Sequence, residues 1–230
     1  MMCPTFARPP AYLHLLEEVV ESFRLQTYAG PKELIILNDC PTQQLSCDLA
    51  GVRVVNLSER MPTLGQKYNE MVRLAKYDLL APAEDDDISL PDRLAQAEER
   101  IGDAHAWNPQ RSYFLDGDTL ITTHKHGVCH NASIFSREAH RAVGGYPSLS
   151  GAQDAVMDVR LRGLGLMPPA LGTIPAEWTY IYCWRRSPVH LSGYSAPDRA
   201  YVAHARTPVK AGRYEIVPRW HRKYLSMTGR

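Results

Sequence analysis

The sequence predicts an α/β domain of the doubly wound kind, a mostly parallel central sheet flanked by helices. Three observations predict it. Apolar runs of strand length alternate with stretches of helical spacing through the first half; Gly and Pro punctuate the boundaries; and acidic residues sit just beyond two strands, where open sheets of this kind bind ligands.

Tyr12, Leu15, Leu16, Val19, Val20 and Phe23 keep to one helical face, so a helix is expected to end near Gln26. Gly30 and Pro31 break the chain. Glu33 to Leu37 then reads as a strand buried on both faces, stopping at Asn38-Asp39, and Val52 to Leu57 as a second, short strand. After a loop at Gly65, Met71, Val72 and Ala75 give the next helix its apolar face. Asp78 to Ala83 reads as a strand running straight into Glu84-Asp85-Asp86-Asp87. Beyond Pro91, a good first-turn residue, Leu94, Ala97 and Ile101 mark another helix. In the second half, Tyr113 to Leu115 and Thr119 to Thr123 flank Asp116-Gly117-Asp118, the pattern of a β-hairpin. Helices are expected from Ser136 to Val143, before the Gly144-Gly145 break, and around Asp154 to Arg162. Beyond about Pro188 the chain is rich in Pro, Gly, Tyr and basic residues and shows little periodicity.

At 230 residues and 44% apolar, the chain is long enough to bury a full core. Lys plus Arg (26) nearly balances Asp plus Glu (25), so no overall field draws nucleic acid or an anionic membrane. Five scattered cysteines, Cys3, Cys40, Cys47, Cys129 and Cys183, make no zinc pattern and read as free thiols of a reducing cytoplasm. No run of about 18 apolar residues is present and the N-terminus carries no signal-peptide pattern, so membrane contact is expected only at the periphery. The cations Arg213, Arg219, His221, Arg222, Lys223 and Arg230, interleaved with Tyr214, Trp220 and Tyr224, could supply that contact; the plainer expectation is a solvated, partly irregular end.

Four consecutive acids between a strand and a proline-led helix repel one another unless a cation or nearby donors compensate. Carboxylates suit hard ions, and Mg²⁺ or Mn²⁺ held by one or two of them takes its other ligands from water and phosphates. A solvated loop capping the helix is the alternative. Asp116-Gly117-Asp118 also spells an acid pair, but hairpin geometry accounts for it. His124, His126 and His130 lack a complete ligand set and stand as candidates for an acceptor side.

Several segments resemble family 2 glycosyltransferases in that family's order. Cys3 to Pro9 (CPTFARP) is similar to the opening "PTYNRP", Ser22 to Tyr28 (SFRLQTY) to its first helix end, and Leu34 to Thr42 (LIILNDCPT) to its second strand and "DDGST" turn. Gly65 to Asn69 (GQKYN) resembles its "G-x-x-x-N" loop and Glu84 to Leu94 (EDDDISLPDRL) its metal motif. Ser133 to Tyr146 continues the match, and Gln153-Asp154 falls where the family has a Glu-Asp pair. Coverage is roughly residues 3 to 165. The chain starts where that family's first strand would be half complete, so the expectation is either a misassigned chain start or an unusually short first strand.

The resemblance implies the GT-A fold, over residues 1–188, with a nucleotide-binding half (1–100), an acceptor half (101–188) and a basic extension (189–230). It implies transfer of one sugar, with inversion, from a nucleotide-sugar, UDP-linked by expectation, to a saccharide, lipid-linked or other hydroxyl acceptor. Thr5, Arg8, Asn38, Asp39, Lys67, Asn69 and Asp85 would hold the donor, Asp39 at the base and Asp85 near the ribose. Asp86 would ligate Mn²⁺ or Mg²⁺, with His190 as a further candidate ligand, and Asp154 would be the general base. Gln153 replaces the usual Glu and, with Trp184 and Arg185, is placed on the acceptor side. Asp158 could substitute for the missing carboxylate, although pairing with Arg162 at i+4 on an exposed face is the preferred expectation. Two rivals keep the fold: a sugar-phosphate nucleotidyltransferase, which would need a Gly-rich phosphate loop that Phe6 to Pro10 does not supply, and a catalytically silent nucleotide-sugar-binding protein.

Overall fold

The computed structural model describes residues 1–121, 130–168, 175–184, 196–204 and 209–230. In chain order its elements are β1 (Met2–Thr5), α1 (His14–Arg24), β2 (Leu34–Asn38), β3 (Gln43–Ser46), β4 (Val52–Asn56), α2 (Leu64–Leu74), β5 (Leu79–Leu80), β6 (Ile88–Ser89), α3 (Arg93–Ile101), β7 (Ala106–Trp107), β8 (Tyr113–Asp116), β9 (Thr119–Ile121), β10 (Ile134–Ser136), α4 (Arg137–Ala142), α5 (Gln153–Gly163), β11 (Tyr180–Trp184), α6 (Pro197–His204), β12 (Gly212–Glu215) and α7 (Tyr224–Met227).

The parallel part of the sheet runs β4-β2-β1, with Thr5, Asn38 and Asn56 level at its carboxyl edge. Residues 81–83 follow the free edge of β1: Met2 N–H donates to Ala81 at 2.9 Å and Ala83 N–H to Met2 at 2.8 Å. Successive strand side chains point to opposite faces. Cys3, Leu34 and Ile36 therefore pack on α1 and α3, whereas Met2, Ile35 and Leu37 pack on α2, α4 and α5. This alternation puts helices on both faces and makes β2 apolar throughout. Burying each Leu, Val, Ile or Phe of these layers contributes about 1.5–3 kcal/mol. Beyond residues 81–83 the pairing turns antiparallel, in β5-β10-β7, and a mixed sheet β6-β11-β8-β9 covers a third apolar cluster.

Several expectations need correction. Gly65 is not in a loop but in the first turn of α2, whose N-cap Thr63 accepts from Gln66 N–H; Gly is required because a Cβ there would overlap the Pro147 carbonyl. The strand expected over Asp78 to Ala83 is regular only at Leu79–Leu80, since Pro82 has no N–H for a ladder. The hairpin expected at Asp116-Gly117-Asp118, by contrast, is present as the β8–β9 turn, with Gly117 at φ 60° and Asp118 paired with Arg222.

The described part of the C-terminal segment is not a solvated end. β12 pairs with β3, Tyr224 is buried with its hydroxyl on Glu18, and Trp220 Nε1 donates to Ser22 on α1. Arg219 and His221 meet Glu17, and Arg230 meets Asp92. These basic side chains are thus bonded to the domain they cover. Among the described residues no helix is long and apolar enough to cross a membrane.

Candidate active site

A cleft of about 190 Å³ opens at the carboxyl edge of the parallel strands. Thr5, Phe6 and Arg8 enter it from the end of β1, Arg60 from the loop between β4 and α2, Lys67 from the first turn of α2, Glu84 to Asp87 from the loop after residues 81–83, and Gln153 and Asp154 from the first turn of α5. Asn131, Tyr182, Tyr201 and His204 complete the wall.

The acidic run is held by donors of two kinds. Thr5 Oγ1 donates to Asp85 Oδ2 at 2.6 Å, and the Arg8 guanidinium grips the same carboxylate, with Nε at 2.7 Å from Oδ2. Burial pushes the Asp85 carboxyl up, but Arg8 and the Thr5 hydroxyl outweigh it and hold it below its ordinary range. Asp87 accepts from Tyr180 Oη at 2.8 Å and from Cys183 N–H at 2.7 Å. Burial, then Asp86, nonetheless raises it from 3.8 to about 8. Burial also lifts the Glu84 carboxyl well above its usual range, against the hydrogen bond from Tyr68.

Because the folded state raises the Asp87 pKa, ionisation favours unfolding. The penalty is absent below the unfolded value near 3.8, grows as pH rises, and is complete above about 8. In chelator-containing buffer, Asp87→Asn should therefore gain stability over the parent as pH goes from 5 to 8 and keep a constant margin beyond. Urea unfolding across that range checks it, and a margin independent of pH would refute it.

This cluster of buried carboxyl groups, whose ionisation the neighbouring donors only partly offset, fits a hard divalent cation. Among the described residues no group of three or more His, Cys, Asp or Glu is arranged to hold a metal, so an ion on Asp86 would draw the remainder of its ligands from water and phosphate oxygens. His190, the other expected ligand, lies outside the described residues, as do Arg185, His124 and His126.

Of the remaining expected donor residues, Lys67 lines the cleft, with Nζ on Thr5 O at 2.6 Å and Asp39 Oδ1 at 2.5 Å. Asp39, Asn38 and Asn69 do not line it. Asp39 is fully buried, accepting from Lys67 and Met61 N–H. Above it Arg60 is sandwiched between Phe6 and Tyr201, 3.3 and 3.9 Å from the ring centroids. Contact between Asp39 and a base therefore needs Arg60 and Tyr201 to give way. Asn38 bonds Gln43 O, Asn56 Oδ1 and Cys40 N–H, knitting the ends of β2, β3 and β4. Asn69 clasps the backbone N–H and carbonyl of Tyr146 and bonds His140.

At the opposite wall, α5 begins after left-handed Ala152 with no side-chain cap, and the Asp154 carboxylate accepts from Ala155 N–H at 2.8 Å. Gln153 is 6% exposed, and among the described residues its buried Oε1 has no hydrogen-bond partner. Trp184 stands in an aromatic row with Phe114 and Tyr182, of which Tyr182 reaches the cleft. Asp158 is not on an exposed face: it is buried against His130 rather than paired with Arg162.

Arg60 and Tyr201 were not foreseen as site residues. Arg60 had one usable signal, its position between the end of β4 and the cap of α2, where ligands of parallel sheets sit. Tyr201 had none, since α6 is flanked by chain without periodicity.

Solved structures share this architecture. TarS 1-349 of S. aureus in complex with UDP-GlcNAc matches with a TM-score of 0.62 and 15% identity, over 85% of this chain and 60% of that one. The same fragment with UDP gives 0.57 and 13%, over 90% and 66%. The mannosyltransferase PcManGT from Pyrobaculum calidifontis, in complex with GDP-Man and Mn²⁺, gives 0.55 and 18%, over 92% and 64%. The chain thus spans less than two thirds of the length of each, and at these identities the likeness establishes the GT-A fold. No curated protein matches the chain in sequence. The family "Glycosyl transferase family 2" matches residues 3–148, more than half of the chain, and the chain belongs to that family of glycosyltransferases.

Proposed function

We propose that the protein transfers a single sugar, with inversion, from a nucleotide-sugar to a hydroxyl acceptor in the cytoplasm. The observation that carries this is the meeting of the acidic run and Asp154 across one cleft, on the ligand-binding edge of the sheet. Arg8, Lys67 and Arg60 offer cations to the donor diphosphate, and Asp86 would hold Mn²⁺ or Mg²⁺, which when bound stabilises charge on the departing diphosphate. Asp154 takes the proton of the acceptor hydroxyl as its oxygen attacks the anomeric carbon. Gln153 Oε1, without a hydrogen-bond partner among the described residues, can accept a hydrogen bond from an acceptor hydroxyl and orient it.

Similar structures are described with UDP, UDP-GlcNAc, and GDP-Man with Mn²⁺, which supports a nucleotide-sugar here and leaves UDP-linked and GDP-linked donors to be separated. Membership of a glycosyltransferase family sets aside the nucleotidyltransferase reading. The four described cysteines are free thiols, which suits a reducing compartment. A thermal-shift panel of nucleotide-sugars with and without Mn²⁺ tests the proposal, because a ligand that binds only the native state raises its stability. At least one donor should raise Tm by several degrees, and more so with Mn²⁺. If no donor shifts Tm with the metal present, the reading fails.

A further inference from the structure

Behind the cleft lies a buried polar chain that the transfer chemistry above does not use. Asp158, one helical turn beyond Asp154 on α5, and His130 are each 3% exposed. Asp158 Oδ1 is 2.7 Å from His130 Nδ1, while Asn108 Nδ2 donates to its Oδ2 at 3.4 Å. His130 Nε2 is 2.7 Å from the Tyr146 hydroxyl. Tyr146 is buried and stacks on Tyr68 at 4.8 Å, and the Tyr68 hydroxyl bonds Glu84 of the acidic run. A second branch is shorter. His130 opens the 3₁₀ turn His130–Ala132, and the side chain of the next residue, Asn131, lines the cleft and hydrogen-bonds Asp87.

The chemistry of the chain is self-consistent. With its proton on Nδ1 the imidazole satisfies both neighbours at once, donating to the Asp158 carboxylate and accepting at Nε2 from the Tyr146 hydroxyl. Such a chain is directional in a way that apolar contact is not. Directionality matters here because α5 buries little apolar surface: Met157 and Leu161 are its buried apolar residues, and Val159 is 69% exposed. Packing alone leaves the rotation and axial position of this helix weakly defined, and its cleft end has no side-chain cap to fix it.

We propose that His130 is a positioning residue for glycosyl transfer: through Asp158 and Tyr146 it locks the Asp154-bearing end of α5 in register with the acidic run. This rests on the transfer reading of the cleft. Donor contacts come from β1, α2 and the acidic loop, whereas proton removal comes from α5. Loosening the lock separates the base from the reacting hydroxyl without removing any donor contact. A misplacement of about 1 Å costs on the order of a hundredfold in rate, and loss of outer partners of a reacting group about ten- to a hundredfold.

The test compares His130→Gln, Tyr146→Phe, Asp158→Asn and Asp158→Ala in the full chain. Two readouts are followed: steady-state transfer with the donor that stabilises the parent protein, and amide hydrogen exchange without substrate. His130→Gln and Tyr146→Phe should lower kcat about tenfold or more while the donor KM stays within twofold. Asp158→Asn, whose carbonyl still accepts from Nδ1, should recover most of the rate that Asp158→Ala loses. In both lock variants exchange should quicken at residues 84–88 as well as at 152–156. Should His130→Gln fail to fold, Tyr146→Phe decides, since it removes one hydroxyl and keeps the stacked ring. Unchanged kcat in Tyr146→Phe, a loss expressed equally in donor KM, or exchange that quickens around α5 but not at 84–88 would each overturn the proposal. Exchange needs no substrate, so it judges the lock even if the transfer reading fails, and donor binding judges that reading independently of the lock.

Discussion

Replacing Asp154 with asparagine is expected to lower transfer by about 10²–10⁴-fold, the usual contribution of a positioned general base, while leaving donor binding and folding nearly intact. The amide cannot take a proton, yet it has the shape of the carboxylate and can still accept from Ala155 N–H in the first turn of α5. Asp154 is half-buried and its carboxylate takes part in no described ion pair, so no buried charge is left uncompensated by its removal. The measurement is kcat alongside the donor-induced thermal shift. Transfer retained within tenfold would move the base elsewhere in the cleft. An equal loss of donor binding would make Asp154 a donor contact instead. If the parent protein transfers nothing to any acceptor while still binding donor, the silent-binder reading, which Gln153 keeps alive, replaces the catalytic one.

Where sequence reasoning worked, it relied on patterns with a single physical cause. The run Leu34 to Leu37 is apolar at every position because helices cover both faces of β2, and α1 shows its stripe because only one face meets the sheet. The residues that line the cleft from the expected set, Thr5, Arg8, Lys67, Asp85, Asp86, Gln153 and Asp154, all stand at the ends of such elements. Which partner takes each oxygen was not legible. Asn38 and Asn69 lie beside the cleft, yet their amides are consumed by neighbouring loops. Asp158 shows the same limit more sharply. The helix itself offers Arg162 at i+4, while the partner it takes, His130, arrives from a turn 28 residues away. The two-residue strands β5, β6 and β7 carry no period to detect, and β12 pairs with a strand far upstream in sequence.

The largest stability effect is expected at Lys67, which is both a lining residue and a clamp between strand ends. The residue is 1% exposed, and its ammonium donates to the carbonyl of Thr5 on β1 and to Asp39 just past β2. Burial lowers its pKa and Asp39 works against that. Lys67→Met keeps the length and apolar stem but strands Asp39 in the interior, and breaking a buried pair from one side costs about 3–5 kcal/mol. Arg60, with Nη1 at 3.5 Å from Asp39 Oδ1, offsets part of this and places the expectation at the lower end. Adding Asp39→Asn should return much of the loss, because the cost lies in the unpaired charge rather than in the missing contact. Urea midpoints of the two single variants and the double variant measure the coupling. A loss below about 1 kcal/mol for Lys67→Met would mean that Arg60 alone neutralises Asp39. In that case the lysine would serve the donor diphosphate alone, and its substitution should weaken nucleotide binding without weakening the fold.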